Sequence, residues 1–120
     1  QAIIEEVFNK SVDELCKLSD VEYKTFIKES ILTLGIAGDE KLILNEKGKS
    51  LVDNTLLVDI NKELTSKGKK GLLTISTEVD NFKGGFILEK GGIEINNTFE
   101  ALVSSLKDEL EFEVANELFN

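Results

Sequence analysis

An α+β fold is what this sequence predicts: a small, mainly antiparallel four-stranded sheet packed with helices, in the order ααβαβββα. Three observations carry the prediction. Apolar residues recur at three- and four-residue steps in four segments. Four short runs rich in Leu, Ile and Thr lie among them, the last three gathered before the closing helix. Gly stands between several of these segments and Pro is absent, so no linker divides the chain.

The first helix is expected over residues 2–17. Ile4, Phe8, Val12 and Leu15 share one face, with Ile3 and Val7 beside them. No capping residue precedes it and the chain lacks Met, so a fragment or processed product is expected, with this helix continuing upstream. Ser19 and Glu22 are spaced as a capping box for a second helix, about Asp20 to Leu34, with Gly35 as a left-handed cap. Its stripe is Tyr23, Phe26, Ile27, Ile31 and Leu34.

Lys41–Leu44 reads as the first strand and 45–48 as a turn. A helix is expected from about Ser50 to Ser66, with Leu57, Ile60 and Leu64 on one face and Gly68 closing it. Gly71–Thr77 reads as the second strand, Gly85–Glu89 as the third and Gly92–Ile95 as the fourth. Lys90-Gly91 is the expected hairpin turn. Asn97 and Glu100 form a second capping-box pattern, opening a helix whose Phe99, Val103, Leu106, Leu110 and Val114 recur at helical steps. Phe86, Phe99, Val103, Leu106 and Leu110 are the candidate core of the hairpin and closing helix.

Composition narrows the function. The 120 residues carry a net charge of -9, with 41% hydrophobic and 31% charged residues. An acidic chain repels phosphate backbones and anionic lipid surfaces, so nucleic acid and direct membrane binding are not expected. No apolar run approaches the roughly 18 residues of a membrane span, and Glu5, Glu6, Asn9 and Lys10 interrupt the start where a signal peptide would lie. The single Cys16 suits a reducing compartment. There is no His and no Arg, which removes the commonest general base and metal ligand and the bidentate phosphate clamp. No catalytic residue, cofactor or metal is expected.

Several motifs have plainer readings. Gly48-Lys49-Ser50 ends like a P-loop, but Ile43 stands where the first glycine is required. Gly84-Gly85 and Gly91-Gly92 open no helix, so they fit hairpin packing better than a phosphate cradle. Lys67-Gly68-Lys69-Lys70-Gly71 reads as a solvated basic loop. Asp108, Glu109, Glu111 and Glu113 point in different directions around a helix and lack the spacing of a Ca²⁺ loop. Two glycosylation sequons, at Asn9 and Asn96, lack a secretory context. Cys16 lies near the apolar stripe of the first helix and reads as a buried, inert thiol. The Ile4/Phe8/Val12/Leu15 stripe is either packed on the domain's own core or a seam for a partner helix, with Ile4, Phe8 and Leu15 as the candidate contacts.

Gly84-Gly85-Phe86-Ile87-Leu88, followed by Gly91-Gly92-Ile93-Glu94-Ile95-Asn96-Asn97-Thr98-Phe99-Glu100-Ala101-Leu102, resembles the signature of the E-type stalk protein of V/A-type rotary ATPases. Glu113-Val114-Ala115-Asn116-Glu117-Leu118-Phe119 is similar to the family's usual chain end. Asn61-Lys62-Glu63-Leu64 and Lys67-Gly68-Lys69-Lys70-Gly71-Leu72 resemble it as well. Many relatives carry an Arg after the third strand, where this chain has Glu89 and Lys90. The resemblance implies a non-catalytic peripheral-stalk (stator) subunit that holds the catalytic head against rotor torque. ATP hydrolysis or synthesis would thereby stay coupled to proton or sodium transport. It implies residues 1–17 as the end of a long stalk helix and 18–120 as a globular head. It also implies a coiled coil with a G/H-type stalk subunit, docking on the N-terminal region of the B subunit of the catalytic head, and a cytoplasmic, peripheral location in a membrane-bound complex. The other readings are an α+β adaptor unrelated to rotary ATPases and a small enzyme built around Lys49 and Ser50.

Overall fold

A computed structural model describes residues 2–119, with side chains described from Glu6 to Glu113. Helices α1 (Ala2–Leu15) and α2 (Asp20–Thr33) are followed by strand β1 (Lys41–Leu44), helices α3 (Glu46–Leu51) and α4 (Asn54–Ser66), strands β2 (Thr74–Val79), β3 (Gly85–Lys90) and β4 (Ile93–Thr98), and helix α5 (Phe99–Phe119). The fold is α+β, with one four-stranded sheet in the order β2-β1-β3-β4.

The sheet is mixed. β1 pairs antiparallel with β3 and β3 with β4, but β1 and β2 are parallel. The physical cause is the connection: two helices and a return loop bring the chain back along β1 in the same sense, which no hairpin can do. That loop is laid down in register before β2 begins. Lys70 N–H donates to Ala37 C=O at 3.0 Å, Leu72 N–H to Gly38 C=O at 2.6 Å and Thr74 N–H to Glu40 C=O at 3.3 Å. Gly71 sits at φ +65° and Asn61 brackets Leu73, accepting its N–H and donating to its C=O. The strand therefore starts at Thr74, three residues after the expected Gly71.

Residues 45–48 are not a free turn. Asn45 Oδ1 accepts Gly48 N–H at 2.8 Å and starts α3. Asp53 Oδ1 accepts Leu56 N–H at 2.9 Å and starts α4. Two capping side chains eight residues apart thus split the single expected helix, and the order is ααβααβββα.

The Ser19/Glu22 capping box is present as expected, but α2 ends on Leu34 in an extended conformation. Gly35 is not a left-handed cap, whereas Gly68, at φ +81°, does close α4. In the β3–β4 hairpin the two-residue loop is Gly91-Gly92, both at positive φ, one residue beyond the expected turn. Asn97 lies within β4 opposite Phe86, so Thr98 caps α5, its Oγ1 accepting Ala101 N–H at 3.2 Å. Glu100 reaches Lys83 N–H at 2.7 Å instead of closing a box with Asn97.

One core joins the layers. Leu42 and Leu44 of β1 and Phe86 and Leu88 of β3 face Ile27 and Ile31 of α2 and Ile60 and Leu64 of α4, all at most 1% exposed. Phe99 closes the aromatic end, edge-on to Tyr23 and Phe26 at 5.9 and 5.2 Å between ring centres. Lys28 ties α2 to α4 through Asp59 at 2.7 Å and Glu63 at 2.9 Å. Those carboxylates, Asp59 first, hold its ammonium well above the usual lysine range.

Candidate protein-interaction surface

Helices α1 and α5 lie side by side, and their contact begins in the core. Val12 and Val103 are buried there, at 8% and 6% exposed. The apolar stripe of α5 does not stop at Val103. Leu106 is 57% exposed and Leu110 41%, which corrects their placement in the core. The sheet and helices that bury Phe86, Phe99 and Val103 reach only the first turns of α5. The rest of a 21-residue helix, about 30 Å long, extends past them.

Leu106 instead lines an apolar groove of about 580 Å³ between the two helices. Val7, Leu15 and Val103 form the rest of its apolar wall, while Lys10, Ser11 and Glu14 rim it from α1. Val7 is 56% exposed, and Phe112, further along α5, is 72% exposed. Val7 and Leu106, exposed and apolar, converge on this groove, which makes it the candidate interaction surface.

Of the expected partner contacts, Leu15 lines this groove and Phe8 lines a smaller neighbouring recess of about 260 Å³ with Val12 and Glu100. Both side chains are half-buried and also pack on the chain's own core. The Ile4 side chain lies outside the described residues, as does that of Val114. Periodicity alone does not mark Val7 and Leu106 as groove residues. Their signal is an apolar stripe on α5 longer than the neighbouring strands can cover.

Charge follows the same helices. By sequence, α1 and α5 hold ten of the 23 carboxylates but two of the 14 lysines, so they carry -8 of the chain's -9. The two helices that form the groove are therefore acidic overall, although the rim itself holds one Lys and one Glu.

The other candidate motifs are absorbed by the fold. Lys49 Nζ donates to Thr77 C=O at 3.3 Å and Ser50 Oγ to Lys47 C=O at 2.7 Å, so neither faces a nucleotide-sized cradle. Lys70, from the basic loop, pairs with Asp39 at 3.2 Å, as does Lys90 at 2.8 Å. Burial pushes the Cys16 thiol up, away from reactivity. Among the described residues no cluster of His, Cys, Asp or Glu is placed to hold a metal. None of their helices is long and apolar enough to cross a membrane.

Residues 1–119 match the sequence profile of the ATP synthase (E/31 kDa) subunit family. The chain belongs to that family. It is 54% identical over its full length to the E subunit of the V-type proton ATPase of Clostridium botulinum strain Eklund 17B. It is 52% identical over its full length to the E subunit of the V-type ATP synthase of Clostridium botulinum strain Hall, and equally to the E 1 subunit of the V-type ATP synthase of Clostridium tetani. The chain covers 60% of each of these relatives.

Proposed function

We propose that this chain acts as a non-catalytic peripheral-stalk subunit of a V-type rotary ATPase, holding the catalytic head against rotor torque. Coupling of ATP hydrolysis or synthesis to proton or sodium transport would depend on that rigidity. Residues 1–17 form the end of the stalk helix and 18–120 the head. The partner at the groove is a G/H-type stalk subunit, and the N-terminal region of the B subunit receives the head. The chain is then a cytoplasmic, peripheral part of a complex that reaches the membrane only through other subunits.

The observation that carries this reading is the apolar groove between α1 and α5, two helices of net negative charge. It fits a partner helix with an apolar seam flanked by Lys or Arg, as coiled-coil pairing requires. Family membership favours it over an unrelated adaptor.

The test is coexpression of the full-length protein with its G-type partner, followed by mass determination on a sizing column. A stable 1:1 complex that is lost in Val7→Asp/Leu106→Asp supports the reading. No complex at low or moderate salt would refute it.

A further inference from the structure

The edge strand β4 carries a single charged residue, Glu94, and few of the other devices that close a sheet edge. Its pairing with β3 runs unbroken from Lys90↔Ile93 to Gly85↔Thr98, without a bulge, and it carries neither Pro nor Lys. The other edge, β2, is different, because its register with β1 shifts between Leu42 and Leu44.

The direction of the β4 backbone groups follows from the hairpin. In a two-residue loop the closing pair, Lys90 and Ile93, exchanges both backbone bonds, so Ile93, Ile95 and Asn97 face β3. Phe99 continues the alternation, donating its N–H to Gly84 C=O at 2.9 Å. The N–H and C=O groups of Glu94 and Asn96 therefore point outward, and both residues are exposed. The next outward N–H, that of Thr98, donates to Asn96 Oδ1 at 3.1 Å. The open stretch is thus Glu94 to Asn96.

The same stretch has a charge to match. Across the sheet, Lys41 stands opposite Glu89 and Glu89 opposite Glu94. Glu89 Oε1 is turned to the hairpin, accepting Gly92 N–H at 3.1 Å. Glu94 therefore ends the row beside a like charge, and among the described residues no ion pair engages it. Like charges directly opposite each other repel, and a cation on a fifth strand would relieve this.

We propose that the β4 edge receives an extended strand from a neighbouring polypeptide of the assembly, with a Lys or Arg facing Glu94. This is sheet extension by strand addition, in which main-chain bonds bind and alternate side chains select. It rests on the stalk reading, which supplies the neighbour. A second copy of the chain fits less well. Antiparallel self-pairing centred on Asn96 sets Glu94 against Thr98, whose N–H is already used, and brings one acidic edge to another.

The test is residue-resolved hydrogen exchange on the full-length protein, free and within the purified complex. The amides of Glu94 and Asn96 should exchange quickly in the free protein and at least about ten-fold more slowly in the complex. Those of Ile93, Ile95 and Asn97 should change little. Unchanged exchange at Glu94 and Asn96, in a complex that retains the protein, overturns the inference. Slowing that instead follows the concentration of the free protein assigns the edge to a second copy and overturns it too. A protein that never enters the complex contradicts the stalk reading and removes this inference with it. Glu94→Lys, with folding checked by its melting curve, should reduce incorporation about ten-fold, as for a central charged contact; full incorporation would overturn the charge pairing.

Discussion

Tyr23 and Gly85 exchange two hydrogen bonds across the core: the phenolic oxygen accepts Gly85 N–H at 3.0 Å and donates to Gly85 C=O at 3.4 Å. Gly85 stands at φ +86°, beyond the last β1–β3 pair, and its backbone groups meet α2 on the side away from β4. Tyr23→Phe keeps the ring but leaves both groups unpaired, so it should destabilise the domain by about 1–3 kcal/mol in urea titration. Burial raises the Tyr23 pKa, so the folded state favours the protonated phenol. That contribution is present below about pH 10, the unfolded tyrosine value, and fades as pH rises above it. The wild type should lose stability above about pH 10 more steeply than Tyr23→Phe. Equal alkaline limbs would show that the phenol stays neutral in both states.

Gly84 lies against the face of Phe99 so closely that a Cβ there would overlap the ring. Phe99 is itself wedged between Tyr23 and Phe26 and has nowhere to retreat. Gly84→Ala should therefore cost about 1–3 kcal/mol, the usual range for overpacking. A neutral result in thermal melting would mean that the ring can shift.

Phe99→Ala and Leu106→Ala sit two turns apart on α5 and should behave in opposite ways. Phe99 is fully buried, and its truncation should cost about 3–5 kcal/mol. Leu106 is exposed in the groove, so Leu106→Ala should change stability by under about 0.5 kcal/mol. It should nevertheless weaken partner association. A large stability loss in Leu106→Ala would place that residue in the core after all.

Asp39 is held between two ammonium groups, Lys90 first and Lys70 second, which keep its carboxyl below the usual range. A depressed folded pKa adds stability above the unfolded value, near about pH 4, and loses it as pH falls through the folded one. Asp39→Asn should flatten that part of the acid limb and leave the alkaline limb alone. Both ammoniums are half-exposed, so added salt should shrink the difference. An acid limb identical to the wild type would show that the cluster contributes nothing.

What was legible in the sequence was local. The Ser19/Glu22 box and the β3–β4 hairpin, expected one residue early at Lys90-Gly91, depend on residues within a few positions of one another. The split between α3 and α4 was written in Asn45 and Asp53, yet Leu57, Ile60 and Leu64 read as one helix from about Ser50, after a turn at 45–48, when the caps are not weighed. The parallel pairing of β1 with β2 depends on Ala37, Gly38 and Glu40 meeting residues 70–74, a contact that no periodicity reports. Periodicity also misplaced Leu106 and Leu110, because a stripe shows which side of a helix is apolar but not how far its neighbour extends. Phe8 and Leu15 could be named from the α1 stripe, whereas Val7 lies beside it and needed the second helix to give it a role.

No residue separates Thr98, the last of β4, from Phe99, the first of α5. Any pull along α5 therefore arrives at the β3–β4 ladder without first straightening a loop. The first residue of the helix is also wedged among Tyr23, Phe26 and Gly84, which resists sliding as a keyed joint does. Such a junction has almost no slack, and a displacement imposed at the far end of α5 would reach the sheet nearly undiminished.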